Sequence, residues 1–234
     1  MQIKTAISSI QSISPSVKLI TLDPGEAKFE HYAGQWIDIH LTIEDETHNC
    51  GYSIVSIPDD ESTIDIAVKL APDLPLTVFL HQRAKPGDIV YISRARGDVC
   101  LDKPPQGNYV FIAGGVGITP LISMIHQINR IAPQCKMTLL YSITHPVEFL
   151  FKDRIVELAN QNVNFQYFTT VTRTPEHSEA YSGRINRKML DEIPFPQNAR
   201  YYLCGPPQMV DDISAILNGI NIPTEKILFD RWWA

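Results

Sequence analysis

Tyr109-Val110-Phe111-Ile112-Ala113-Gly114-Gly115-Val116-Gly117-Ile118-Thr119-Pro120 decides the fold of this chain. Residues 109–113 are apolar or aromatic and read as a buried strand. A glycine turn follows at once. Leu121, Ile122, Met124, Ile125 and Ile128 then repeat at helical spacing, which predicts a helix over 120–131. Strand, glycine turn and helix together aim free backbone N–H groups and a positive helix end at a phosphate. A Cβ at these glycines would block both the tight turn and the close approach of a diphosphate. The spacing Gly-Gly-x-Gly-x-Thr-Pro departs from the usual dinucleotide fingerprint, so a plain strand-to-helix connection stays open at this point.

Outward from that stretch, the chain of 234 residues is long enough for one large domain or two small ones. It is 44% hydrophobic and 20% charged, as soluble globular proteins are. A formal charge of −6 argues against nucleic acid or an anionic membrane as the main partner. The first ten residues lack a signal-peptide apolar core, and no run approaches the roughly 20 apolar residues of a membrane span. Cys50, Cys100, Cys135 and Cys204 show no Cys-x-x-Cys spacing, so neither zinc nor a cysteine-ligated iron–sulfur cluster is expected. The histidines are equally scattered, and no metal site is expected. A reduced, cytoplasmic protein is the simplest reading.

Before residue 105 the chain reads as short strands with turns between them. Residues 17–22, 33–41, 51–56, 64–68 and 89–92 carry the strand patterns, and 76–82 is a short helical patch. Asp23-Pro24-Gly25, Pro58-Asp59-Asp60 and Lys85-Pro86-Gly87-Asp88 are turns. The expected fold of 1–104 is an antiparallel β-barrel. Pro104 and Pro105 suggest a linker. Beyond it the rhythm becomes α/β, with strands at 109–113, 137–142, 164–171 and 200–204. Helices are expected at 120–131, 148–160, 186–192 and 207–217. Residues 105–234 are therefore expected to form a parallel-sheet dinucleotide-binding domain with its ligand at the C-terminal ends of strands.

Three segments resemble the ferredoxin–NADP reductase superfamily of flavoprotein reductases, in that family's order. They are Cys50-Gly51-Tyr52-Ser53, Gly114-Gly115-Val116-Gly117-Ile118-Thr119-Pro120 and Cys204-Gly205-Pro206-Pro207-Gln208-Met209. Smaller echoes are Ala33-Gly34-Gln35-Trp36, Lys85-Pro86-Gly87-Asp88 and the aromatic end Phe229-Asp230-Arg231-Trp232-Trp233. Within the superfamily the chain is most similar to the small oxidoreductase NAD-binding domain-containing proteins and to flavin reductases. The resemblance covers about residues 33–234. It implies a barrel that carries FAD or FMN and a second domain that binds NADH or NADPH. The nicotinamide would meet the flavin between them and pass a hydride from its C4 to flavin N5.

The resemblance also implies residue roles. Tyr52 would stack on the flavin and Ser53 would hydrogen-bond near N5; the plain alternative is a strand pair with tyrosine in the core. Val68, Lys69 and Thr77 would complete the flavin pocket. Gly114, Gly115, Gly117 and Thr119 would cradle the dinucleotide diphosphate. Cys204, Gly205 and Pro206 would floor the nicotinamide site, although a buried structural cysteine is common. Trp232 or Trp233 would cover the flavin face, the alternative being a terminal strand with its aromatics under the sheet. Ser53, Cys204 and Asp230 are the candidate catalytic residues. Asp230 stands where relatives hold an acid, and an exposed ion pair with Arg231 would explain it equally.

Two positions depart from the family. Arginine is expected at Cys50, where its guanidinium would meet the flavin phosphate, and glycine at Leu74. Losing one charge-assisted hydrogen bond costs about 1.5–3 kcal/mol, ten- to a hundredfold in affinity. Lys69, His48 and His81 are the candidate replacements for the lost charge. The expectation is a weakly held or exchanging flavin. No arginine follows the strand over 137–142, and Arg173 after the next strand is the remaining candidate for a 2′-phosphate, which leans the reading to NADH. The leading expectation is an NAD(P)H-dependent flavin reductase-type oxidoreductase. Its alternatives are an electron-transfer component docking on a redox partner protein, and a nucleotide-sensing module with a degraded flavin site.

Overall fold

The computed structural model describes residues 2–58, 62–102, 104–173 and 181–231. Packing divides the chain into two units. One runs from the N-terminus to Leu101 and includes Ile122–Gln127; the other holds Asp102–Leu121 and continues from Ile128.

The first unit is built on six antiparallel strands: β1 (Ile3–Ser12), β2 (Val17–Asp23), β3 (Trp36–Ile43), β4 (Glu46–Ser53), β5 (Ile64–Lys69) and β6 (Ile89–Ile92). Their order in the sheet is β4-β3-β6-β1-β2-β5. A bridge from Ile54 to Ile66 joins the two edges and closes the barrel. Ile20, Leu22, Ile37, Ile39, Ile66, Val68 and Val90 fill the interior. Helix α1 (Pro75–Gln82) packs on β3, β4 and β5 through Leu76 and Leu80.

Two features of this barrel were hidden in the sequence. The first is β1. Its apolar alternation breaks because the register shifts between Ile7 and Ser9, leaving Ser8 as a bulge. Thr5 and Ile7 face the core before the bulge, and Ile10 takes the opposite parity after it. The second is the hairpin joining β3 to β4. Ile43 pairs with Glu46, so Glu44 and Asp45 form a two-residue turn, and both have positive φ (52° and 66°). That geometry normally selects Asn-Gly, so Glu-Asp gives no turn signal. The strand expected over 51–56 consequently begins five residues earlier, at polar Glu46.

The second unit is a six-stranded parallel sheet of β7 (Tyr109–Gly114), β8 (Met137–Ile143), β9 (Phe165–Val171), β10 (Tyr181–Ser182), β11 (Arg200–Gly205) and β12 (Ile227–Arg231). Its order is β10-β9-β8-β7-β11-β12. Helices α2 (Ile118–Ile131), α3 (Lys152–Gln161), α4 (Arg187–Glu192) and α5 (Pro207–Gly219) connect the strands. The chain winds one way from β7 through β9, then returns to β7's other side as β11. The reversal between β7 and β11 is a topological switch point, where a parallel sheet leaves a crevice at its carboxyl ends. Every residue of β7 is buried. Tyr109, Phe111 and Tyr202 stack on one face, with centroids 5.7–6.3 Å apart. Val110, Ile112, Leu140 and Leu203 form the core on the other.

The hairpin turn yields a stability prediction. A non-glycine residue in the left-handed region costs about 1 kcal/mol, and glycine removes that cost. Asp45→Gly should stabilise the protein by about 0.5–1 kcal/mol, raising Tm by roughly 1–4 °C in calorimetry.

Candidate functional site

The site in the second unit begins where β7 ends. Gly114 closes the strand, Gly115–Gly117 make one 3-10 turn, and α2 starts at Ile118. Gly115 has a φ of +54°, and a Cβ there would meet nothing within 4 Å. The turn is therefore open on the Gly115–Val116 side. Gly117 is the opposite case. A Cβ there would fall 2.8 Å from Gly205 N and closer still to the Cys204 carbonyl. The turn thus lies directly on the end of β11.

Two hydroxyls hold the turn's carbonyls. Thr119 Oγ1 donates to Val116 O at 2.9 Å, and Tyr141 Oη donates to Gly115 O at 2.9 Å. Thr119 is buried, so its hydroxyl braces the loop rather than facing outward. The first N–H of α2, at Ile118, bonds to Gly115 O and Val116 O, so the backbone beside the open glycine is that of the turn itself. That arrangement fits a diphosphate.

Across the switch point, Cys204 is buried and pairs in register with Ala113 on one side and Asp230 on the other. Two of the expected catalytic residues are therefore neighbours. Gly205 is buried and Pro206 exposed. Met209, on the first turn of α5, covers the strand ends: a Cβ at Gly114 would lie 2.6 Å from its Sδ. Asp230 does not pair with Arg231. The guanidinium turns to Asp211 at 2.5 Å and lies 4.6 Å above the Phe229 ring. Burial pushes the Asp230 carboxyl above its ordinary value, offset in part by the Arg231 backbone. Trp232 and Trp233 lie outside the described residues.

In the barrel unit, Tyr52 and Ser53 end β4 and both are buried. The Tyr52 hydroxyl has no hydrogen-bond partner of ordinary geometry. Its neighbour is the Cys50 thiol, and burial raises the pKa of both groups. The thiol is therefore neutral and offers neither the charge nor the fork of an arginine. Val68 buries its side chain in the core, leaving only its backbone for a ligand, and its carbonyl contacts His81 Nε2 at 2.8 Å. Thr77 is also turned inward, donating to Ala71 O at 2.7 Å. Of the candidate replacement cations, His81 is held by Val68, and His48 lies 4.0 Å from Glu46. Lys69 is exposed at the end of β5. Tyr52, Val68 and Thr77 thus turn their side chains inward, and Cys50 offers a flavin phosphate no charge. Sequence reading gave Tyr141 no role at the turn, and it named Met209 only as the end of the third segment. An aromatic inside an apolar strand looks like core, and only the fold shows where its hydroxyl ends.

Two predictions follow from this geometry. Gly117→Ala drives a methyl into backbone that cannot move, so it should destabilise by about 2–4 kcal/mol, as other overpacking and strain do, read as a lowered Tm. Asp230 carries a pH signature. Because its native pKa is raised, the folded state holds that proton more tightly than the unfolded chain, whose value is near 3.8. The ionised carboxylate weakens the fold above the native pKa and has no effect below the unfolded one. Asp230→Asn should therefore melt higher than wild type at pH 7, and the difference should vanish as pH falls toward about 3.

Comparison with known proteins agrees with both units. Residues 4–100 match the oxidoreductase FAD-binding domain and residues 111–215 the oxidoreductase NAD-binding domain. The oxidoreductase NAD-binding domain-containing protein 1 of Danio rerio is 31% identical over 97% of this chain and 90% of its own length. The Homo sapiens protein of that name is 32% identical over 95% of this chain and 77% of its own. The FAD/NAD-binding domain of nitric oxide dioxygenase from Vibrio cholerae superposes with a TM-score of 0.88 at 22% identity, covering 98% of each chain. A ferredoxin NADP+ reductase from Neisseria gonorrhoeae, solved with bound FAD and NADP, gives 0.86 at 21% identity and 99% of each chain. Among the described residues no helix is long and apolar enough to cross a membrane. With an FAD-binding barrel, an NAD-binding parallel sheet and relatives matched almost end to end, the chain belongs to the ferredoxin–NADP reductase-like oxidoreductases, in the oxidoreductase NAD-binding domain-containing protein family.

Proposed function

We propose that this oxidoreductase transfers hydride from a nicotinamide dinucleotide to a flavin that it holds weakly, in the manner of a flavin reductase. The observation that carries the reading is the open, left-handed Gly115 at the switch point, beside the start of α2. In this reading residues 1–104 form the flavin domain and 105–234 the dinucleotide domain. When both cofactors are bound, the dihydronicotinamide supplies a hydride and the flavin accepts its two electrons.

The chain's own residues bind, orient and exclude water. Gly115 gives the diphosphate its open backbone, Gly114 and Gly117 let the turn pack against Met209 and the end of β11, and Thr119 keeps it rigid. Cys204, Gly205 and Pro206 floor the nicotinamide side. Asp230, with its raised pKa, holds a proton closer to neutral pH than an exposed aspartate does. Tyr52 and Ser53 are assigned to the flavin ring, with Lys69, next to Val68, as the exposed cation. NADH is the favoured donor, since Thr144-His145, directly after β8, holds no arginine. The electron acceptor beyond the flavin is a small molecule or a redox partner protein, and the cytoplasm is the proposed compartment.

Cys50 favours a second reading, a nucleotide-sensing module whose barrel no longer holds flavin. One experiment separates the two. FAD and FMN are supplied in turn under anaerobic conditions, NADH or NADPH is titrated in, and the flavin absorbance band is followed. Hydride transfer predicts bleaching with NADH at lower concentration than with NADPH, and flavin that dialyses away from the oxidised protein. A protein that binds NADH yet leaves supplied flavin oxidised is a sensor, and stoichiometric flavin surviving dialysis contradicts the weak-binding claim.

A further inference from the structure

We propose that Tyr141 is a positioning residue for the dinucleotide: its hydroxyl holds the Gly115 carbonyl and so aims the Val116 N–H at the diphosphate. This rests on the dinucleotide reading of the Gly115 turn and adds a residue from a different strand to it.

The geometry of a peptide plane carries the inference. In a trans peptide the C=O of one residue and the N–H of the next point in opposite directions. Tyr141 Oη donates to Gly115 O at 2.9 Å, which sends the Val116 N–H the other way. Thr119 Oγ1 donates to Val116 O, which does the same for the Gly117 N–H. Neither direction is secured by the backbone alone. Gly115 is left-handed, and glycine accepts a wide range of φ and ψ, so its following peptide plane rotates at little cost. The helical bond is shared as well: the Ile118 N–H reaches both Gly115 O and Val116 O. A third group is needed to fix the plane, and the phenol is that group.

Tyr141 is itself rigidly held. It is fully buried on β8, and the Phe149 ring meets it edge-on at 5.6 Å. The Leu150 backbone bonds to the same hydroxyl. Burial pushes the phenol's pKa upward, with Glu148 adding to the effect, so it remains a neutral donor wherever the protein is folded. The loop supplying Leu150 then turns through Phe151, a bulky residue at a φ of +56°. Such a residue adopts the left-handed region only where its surroundings dictate it. One hydroxyl therefore locks the loop after β8 to the turn after β7.

Titration calorimetry of wild type and Tyr141→Phe with NADH, ADP and adenosine tests this. The variant keeps the ring and loses only the donor. Its affinity for NADH and for ADP should fall about tenfold, the effect of misdirecting one charge-assisted hydrogen bond. Adenosine, which has no diphosphate, should change less than about twofold, as should FAD. NADH and ADP affinities within about twofold of wild type would overturn the proposal. So would an equal loss for adenosine, which would mark Tyr141 as packing alone. If Tyr141→Phe does not fold, Phe149→Leu loosens the phenol while sparing its hydroxyl. A two- to threefold loss for ADP, larger than for adenosine, supports the role, and an unchanged ADP affinity overturns it. A wild type that binds neither NADH nor ADP removes the dinucleotide reading and this inference together. Full affinity in Tyr141→Phe removes this inference alone.

Discussion

Gly117 rests on the backbone of Cys204, and no other residue type fits there. This contact ties the turn after β7 to the end of β11, two segments ninety residues apart in sequence. The parallel sheet can place them side by side only because its winding reverses between those strands. Close approach at a reversal point is what leaves a crevice at the carboxyl edge. The Gly114–Pro120 segment and the Cys204–Met209 segment are therefore one site read twice along the chain.

Within that site the polar groups divide by direction. Hydroxyls of Thr119 and Tyr141 are spent on the turn's carbonyls, inside the protein. In the proposed reading, the Val116 N–H on the opposite edge of the Gly115 peptide is what remains for a ligand. Thr119, read from sequence as a diphosphate contact, works from beneath the loop. A buried hydroxyl that satisfies a carbonyl contributes about 0.5–1.5 kcal/mol and removes an orphan acceptor. It also fixes a donor's aim, which a solvent-facing threonine could not do.

Features written into contiguous residues were legible in the sequence. Apolar β7, the glycine turn and the periodic face of α2 needed no tertiary information. Features that depend on pairing were hidden. The bulge at Ser8 broke the alternation of β1, and the Glu44-Asp45 turn lacked the residues its positive φ values usually select. Site residues divided the same way. Gly115 and Gly117 were visible because glycine is rare where a side chain is tolerated. Val68 sits beside the expected pocket, yet strand parity turns its side chain into the core. Tyr141 was invisible for the converse reason: in an apolar strand its ring looks like core, and only its oxygen matters.

The barrel shows how a single side chain changes what a conserved-looking motif can hold. Tyr52 and Ser53 keep their places, but the residue two before Tyr52 is a thiol whose pKa burial has raised. A thiolate there would repel a phosphate; a neutral thiol neither repels nor attracts it. The loss at Cys50 is therefore the missing attraction alone. The Tyr52 hydroxyl is buried beside that thiol, so the two groups face each other inside the barrel. A ligand that brings a phosphate to Cys50 gains nothing from its charge. In the proposed reading, such a barrel would hold the ring end of a flavin and gain little from its phosphate end. That suits a flavin which arrives oxidised and leaves reduced better than one held for the lifetime of the protein.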